Sequence, residues 1–317
     1  MGWMIELEHV TKLYGTVLGV NDMTLQLEAG AWGLLGPNGA GKSTLLNLLI
    51  GQLRPTRGAV KVLGVSPRNN AELQRRIGFC PSFEGMYAGV SGLEWTSYLV
   101  QLHGYGRRES QQRAMDSLER VGMANSMRRP ISSYSRGMRQ RTKLAQAIAH
   151  SPELLILDEP LSGLDPVGRA QMTELLREWI RGGRSVLIAS HVLHEVEALT
   201  DSFLLVSGGR LLASGTATEV HELLFRVPME IHVRCSHGRR LAAMAVEQGA
   251  AESVRVQSAA GGQWDHVQIS TQNAAGFSKQ LADWVRDEAL IVYELRSADD
   301  SLQSLFNSLM KIHRGEL

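Results

Sequence analysis

The chain has 317 residues, enough for one large domain and one small one, and 44% of them are apolar, an ordinary share for a protein that buries a sizeable core. Lys and Arg number 33 against 32 Asp and Glu, so no global field points to nucleic acid, and the short basic clusters (Arg75–Arg76, Arg107–Arg108, Arg128–Arg129) read as solvated helix faces. Two distant cysteines, Cys80 and Cys235, suggest neither a disulfide framework nor a metal set. No apolar run is long enough for a bilayer, and the opening MGWMIELE lacks a signal-peptide pattern, so the expectation is a soluble cytoplasmic chain.

In chain order, residues 5–28 read as antiparallel strands. Ile5 and Leu7 alternate with Glu6 and Glu8, and Met23, Leu25 and Leu27 alternate with Thr24, Gln26 and Glu28. Tyr14 lies between them in KLYG, either as a half-buried tyrosine at a strand end or as a flat ring on which a base stacks. A short apolar run, Trp32 to Leu35, then leads into Gly36-Pro37-Asn38-Gly39-Ala40-Gly41-Lys42-Ser43-Thr44, and a helical pattern follows with Leu45, Leu46, Leu48 and Leu49. Strand, glycine-rich loop and helix in that order are the context of a phosphate-binding loop. The glycines let the backbone N–H groups converge on a phosphate, and the helix N-terminus adds partial positive charge. Lys42 supplies a full charge for the β- and γ-phosphates, and Ser43 supplies a hydroxyl for Mg²⁺.

Gly58–Gly64 and Ile77–Cys80 read as further strands. Residues 93–122 turn helical, and Trp95, Tyr98, Leu99 and Leu102 fall at helical spacing, which reads as helix core. Tyr134 to His150 (YSRGMRQRTKLAQAIAH) begins at an N-cap-like Ser135 and ends before Pro152. Leu154–Leu157 is a buried-strand run, and Asp158 and Glu159 stand at its C-terminal end, where ligands bind in open α/β sheets. A loop through Asp165, a helix from about Val167 to Arg181, the strand Ser185–Ala189 with Ser190 and His191 after it, and a last hairpin complete this part. HVLHE at 191–195 matches neither zinc-protease spacing. Buried runs alternating with helices imply a mostly parallel sheet covered on both faces. Beyond about residue 223 the order becomes β-α-β-β-α-β-α, closing on Leu302, Leu305, Phe306 and Leu309, which suggests a small ferredoxin-like domain with no catalytic constellation.

Taken together, GPNGAGKST, YSRGMRQR, LLILDEP, SGLD and SH, in this order and spacing, resemble the ATP-binding subunit of an ABC transporter over residues 4–220. The YSRGMRQR variant and the added C-terminal domain resemble the subunits that serve ABC-2 type exporters. The resemblance implies an α/β P-loop ATPase over 1–222, with an N-terminal antiparallel β subdomain and a helical subdomain at about 83–150, and an accessory or regulatory α/β domain over 223–317. It implies ATP and Mg²⁺ as cofactors, with Ser43 and Asp158 on the metal, Glu159 as the base that activates water, and His191 on the γ-phosphate beside Lys42. Tyr14 matches the aromatic that stacks on adenine. Ser135, Gly137 and Asp165 would serve ATP held by a second ATPase subunit, facing the first head to tail.

The implied partners are that second subunit and a membrane permease on separate chains, so the chain would sit peripherally on the cytoplasmic face. No nucleic-acid partner is implied. The rival reading is a soluble ABC ATPase that acts on a macromolecular complex. Two positions depart from the family pattern. The signature keeps only its serine and second glycine, with Arg136 between them. Ser82 stands where the family usually has a glutamine, which bears on one Mg²⁺ contact and on the link to the permease.

Overall fold

The computed structural model describes residues 2–83, 85–216, 219, 229–258, 264–287 and 290–297. The expected closing stripe at Leu302, Leu305, Phe306 and Leu309 lies outside these residues. The chain divides into two compact units, Met1–Thr216 and Ala217–Leu317.

In the first unit, β1 (Ile5–Tyr14), β2 (Val17–Leu27) and β3 (Ala31–Leu35) lead into α1 (Lys42–Leu49), β4 (Arg57–Val62), α2 (Ala71–Arg76) and β5 (Ile77–Cys80). Helices α3 (Gly92–Leu102), α4 (Arg107–Arg120) and α5 (Arg136–Ile148) follow. The unit continues with β6 (Leu154–Asp158), α6 (Pro166–Arg181), β7 (Ser185–Ser190), α7 (Leu193–Glu197), β8 (Ser202–Ser207) and β9 (Arg210–Thr216). Two sheets result. The antiparallel one has the order β2-β1-β4, and the larger one runs β5-β6-β7-β3-β8-β9 with only β9 antiparallel. Every residue of β6 and β7 is buried, as expected for parallel strands covered on both faces, so they read as unbroken apolar runs.

Helix α1 joins the two sheets. Leu45, Leu46, Leu48 and Leu49 are buried in one apolar cluster with Ile5 and Leu7 of β1, Val60 and Val62 of β4, and Leu34, Ile156 and Leu187 of the parallel strands. Emptying such a site (Leu46→Ala) costs about 2–5 kcal/mol in a close-packed core. The position of the loop before α1 is therefore set by an apolar cluster that spans both sheets.

The helical segment departs from expectation in one respect. The stripe Trp95, Tyr98, Leu99, Leu102 is not the core face of α3. Tyr98 and Leu102 are exposed, and the helix buries Leu93, Thr96, Ser97 and Val100 instead. A capping box fixes its start, with Ser91 accepting from Glu94 N and the Glu94 carboxylate accepting from Ser91 N. That box sets where α3 begins, and the aromatic spacing does not predict which face it buries.

In the second unit, β10 (Met229–Cys235), α8 (Gly238–Glu247), β11 (Ser253–Ser258), β12 (Asp265–Thr271), α9 (Ala274–Asp287) and β13 (Val292–Ser297) form an antiparallel sheet of order β11-β12-β10-β13. Each helix spans one intervening strand, which is the split β-α-β arrangement of the ferredoxin-like fold. Ile231, Val233, Val267 and Ile269 face Leu241, Phe277, Leu281 and Trp284 in its core.

One buried histidine makes the first unit sensitive to acid. His150, just after α5, stacks on His103 with ring centroids 3.8 Å apart, and its Nε2 lies 2.9 Å from the Ile77 carbonyl oxygen. Its Nδ1 has no hydrogen-bond partner. Burial, reinforced by His103, pushes its pKa down from 6.5 to about 4. A lowered folded-state pKa leaves full stability above about pH 6.5 and erodes it as pH falls towards 4, by up to about 3 kcal/mol. Urea midpoints between pH 7 and pH 4 are therefore expected to fall more steeply in the wild type than in His150→Asn. Equal slopes would contradict this account.

Candidate active site

The parallel strands β3, β5, β6 and β7 all end on one edge of the sheet, and each delivers a chemically distinct loop there. After β3 the chain turns through Gly36–Gly41. Gly41 has φ 101°, and a Cβ on it would lie 2.2 Å from the Gly19 carbonyl oxygen. A Cβ on Gly36 would lie 2.4 Å from Val206 O. Only glycine fits either place, and the two bring the loop hard against β2 and β8. No side chain caps α1 and no acid stands in its first turn, which leaves a helix start suited to an anion. Pro37 O accepts from Ala40 N at 3.1 Å and closes the turn. The Lys42 ammonium is buried and folds onto Gly36 O and Pro37 O, at 2.5 and 3.2 Å. Burial lowers its pKa, and the nearby carboxylates of Glu159 and Asp158 oppose the shift.

At the end of β6, Asp158 is buried and its Oδ2 accepts two hydroxyl protons, from Ser43 at 2.9 Å and from Ser82 at 2.8 Å. Glu159 follows at φ 52°, a left-handed conformation that costs a non-glycine residue of order 1 kcal/mol or more. Its main chain is held on both sides. Glu159 N donates to Ala189 O at 2.9 Å, and Gln140 Nε2 donates to Glu159 O at 3.3 Å and Pro160 O at 2.8 Å. The strained backbone aims the carboxylate at the end of β7. There Oε1 accepts from His191 N at 3.1 Å and lies 2.8 Å from His191 Nδ1. A cavity of about 370 Å³ opens on this edge, lined by Asn38, Ser82, Arg136, Lys143, Glu159 and His191 among others.

The remaining residues singled out by sequence fall around this edge. Tyr14, at the end of β1, is exposed, and its hydroxyl lies 3.4 Å from Thr44 Oγ1 of α1, so its ring stands beside the glycine loop. Ser135 caps α5 by accepting from Met138 N at 3.2 Å, and Gly137 lies in its first turn. A Cβ at Gly137 would meet nothing closer than Gly163 O at 3.4 Å, so nothing within this chain requires glycine there. Arg136 donates to Ser162 Oγ at 3.1 Å. Asp165 caps α6 by accepting from Gly168 N at 2.9 Å. Ser135, Gly137 and Asp165 thus stand at the starts of α5 and α6, whereas Ser43 pairs with Asp158 and Glu159 with His191 at the ends of β6 and β7.

Sequence reasoning missed two participants, Gln140 and Lys143. Both are polar residues on the buried face of α5, three positions apart, among Leu144, Ala147 and Ile148. Polar residues inside an apolar stripe were the available signal. Lys143 Nζ donates to the carbonyls of Pro81 at 2.8 Å, Ser82 at 3.2 Å and Phe83 at 3.4 Å.

Comparison with known proteins identifies the family. Residues 20–162 match the family described as ABC transporter. An ABC transporter ATP-binding protein of Bacillus subtilis, YxlF, itself described as uncharacterized, is 36% identical over 221 residues, which cover 69% of this chain and 73% of that protein. The bacitracin transport ATP-binding protein BcrA of Enterococcus faecalis is 31% identical over 316 residues, 98% of this chain and 97% of its own. A solved structure described as the ATP binding subunit of an ABC transporter superposes with a TM-score of 0.64 at 26% identity, covering 70% of this chain and 93% of that one. The chain belongs to the ATP-binding subunits of ABC transporters, and it is an ATPase of that family.

Proposed function

We propose that the chain is the ATP-hydrolysing subunit of an ABC-2 type exporter and that its chemistry is carried out at the edge where β3, β5, β6 and β7 end. The observation that carries this reading is the pairing of Ser43 with Asp158 beside a strained Glu159 that contacts His191. The residues fit a magnesium nucleotide. An uncapped helix start and the Lys42 ammonium suit a triphosphate, while a hydroxyl and a carboxylate 2.9 Å apart are hard oxygen donors of the kind Mg²⁺ takes. Bound Mg²⁺ would neutralise charge on the phosphates.

Each residue then has a distinct task. Tyr14 stacks on the base, and the main chain of Gly36–Thr44 wraps the phosphates. Lys42 exchanges the carbonyls of Gly36 and Pro37 for phosphate oxygens. Glu159 takes the proton of the attacking water, and His191, already within 2.8 Å of that carboxylate, holds it in place and hydrogen-bonds the γ-phosphate. Ser135, Gly137 and Asp165, at the starts of α5 and α6, act on the nucleotide of a second subunit.

No helix among the described residues is long and apolar enough to cross a membrane. The reading as an exporter's ATP-binding subunit pairs this chain with a membrane permease, on its cytoplasmic face. Phe83 and Tyr87 are exposed beside the loop that starts at Pro81, and with Met86 they offer an apolar landing for a permease helix. The likeness to a bacitracin transport protein over nearly the whole chain supports a transport role. The second unit is read as an accessory or regulatory domain.

Glu159→Gln is expected to bind ATP as the wild type does, to lose about 10²–10⁴ in turnover, and to accumulate as a dimer in ATP by size-exclusion chromatography. Turnover near the wild-type rate would remove Glu159 from the role of base. Phe83→Ala with Tyr87→Ala should keep the basal ATPase rate and lose the stimulation given by co-purified permease. Full stimulation in that double variant would place the docking surface elsewhere.

A further inference from the structure

A lysine with only 2% exposure stands in the middle of α5. Burying an ammonium where methionine would fill the same space is costly unless the charge is well satisfied. Lys143 is satisfied by three successive carbonyls, those of Pro81, Ser82 and Phe83. These residues follow β5 directly and have no helix or strand of their own. Without the ammonium, this stretch would lose three hydrogen bonds to α5.

The middle residue of the trio connects that anchor to the chemistry. With its main chain gripped by Lys143, Ser82 turns its hydroxyl to Asp158 Oδ2 at 2.8 Å, the same oxygen that Ser43 reaches. One turn earlier on α5, Gln140 grips the main chain of Glu159 and Pro160. A single helix therefore holds, through two buried polar side chains, the loops on both sides of the Asp158 carboxylate. A serine is too short to reach a metal where a glutamine would, but it is the right length to fix the carboxylate.

We propose that Lys143 is a positioning residue that sets the magnesium-binding geometry of Asp158 through Ser82, so that α5 governs the metal side of its own site. This inference rests on the reading of Asp158 as the metal carboxylate. With Oδ2 fixed by Ser82, Oδ1 is left in a defined place for a metal-bound water. Since α5 also carries Ser135 and Arg136 at its start, a movement of that helix would reach Asp158 through Lys143.

The test uses the full chain and a fluorescent ATP analogue, titrated in Mg²⁺ and again in EDTA. Lys143→Met and Ser82→Ala should each weaken Mg²⁺-dependent binding about tenfold, the size of one hydrogen bond to a charged group. Both should leave binding in EDTA unchanged, and the double variant should be no weaker than either single one. Amide exchange at Ser82 and Phe83 should also accelerate in nucleotide-free Lys143→Met. A merely structural lysine would lower the melting temperature and leave the Mg²⁺ dependence as in the wild type, and that result overturns the proposal. So does additivity in the double variant, or a wild-type Mg²⁺ response in Ser82→Ala, which needs no change in the core. Asp158→Asn is the control. If it keeps the full Mg²⁺ dependence, the metal reading of Asp158 fails, and the positioning role with it.

Discussion

The first unit depends on parallel strands that end together. Because β3, β5, β6 and β7 run in register in one sheet, the groups that follow each of them meet at one edge whatever their distance in sequence. Asp158 Oδ2 marks the point of closest convergence, since it accepts hydroxyl protons from Ser43 and Ser82, which follow two different strands. Burial of that carboxylate among donors strengthens each bond beyond its value in water. It also fixes the relative position of the glycine loop and the β5 loop to within hydrogen-bond tolerance.

Around this point the protein keeps its active residues in conformations that are costly in isolation. Glu159 holds a left-handed backbone, Lys42 is a buried ammonium resting on its own loop's carbonyls, and Lys143 is a second buried ammonium. Each is held by specific partners rather than by packing alone. On the proposed reading, Lys42 is the group with most to gain from a triphosphate, because phosphate oxygens replace neutral carbonyls around a desolvated charge. The cluster around α1 resists distortion of the loop, so such an exchange is confined to side chains.

Much of this arrangement was legible in the sequence because it rests on local signals. The glycine loop is set by the left-handed backbone of Gly41 and by close approaches that leave no room for a Cβ at Gly36 or Gly41, and β6 and β7 by apolar runs that both faces of the sheet bury. Ser135 announces a helix start and does cap it, whereas Asp165, read as part of a loop, also proves to be a cap. The misses have physical reasons. Helix α2 buries only Leu73, so it has no apolar period to read. Helix α3 packs on Leu93, Thr96, Ser97 and Val100, two of them small polar residues that carry no apolar signal, so Tyr98 and Leu102 face outward against the expectation from spacing. Lys143 was marked only as a polar residue in an apolar stripe; the main-chain carbonyls it reaches, about 60 residues away, leave no mark in sequence.

The central claim is that a nucleotide is bound and cleaved at this edge, with the Lys42 charge essential to holding it. The most direct measurement is Mg²⁺-dependent phosphate release from ATP by the purified chain and by Lys42→Met, alongside ATP binding by calorimetry. The account predicts that the variant folds with an unchanged far-ultraviolet spectrum, binds ATP at least tenfold more weakly, as expected for loss of a charge-assisted contact, and releases phosphate at the background rate. Phosphate release at the wild-type rate by a folded Lys42→Met chain would contradict it.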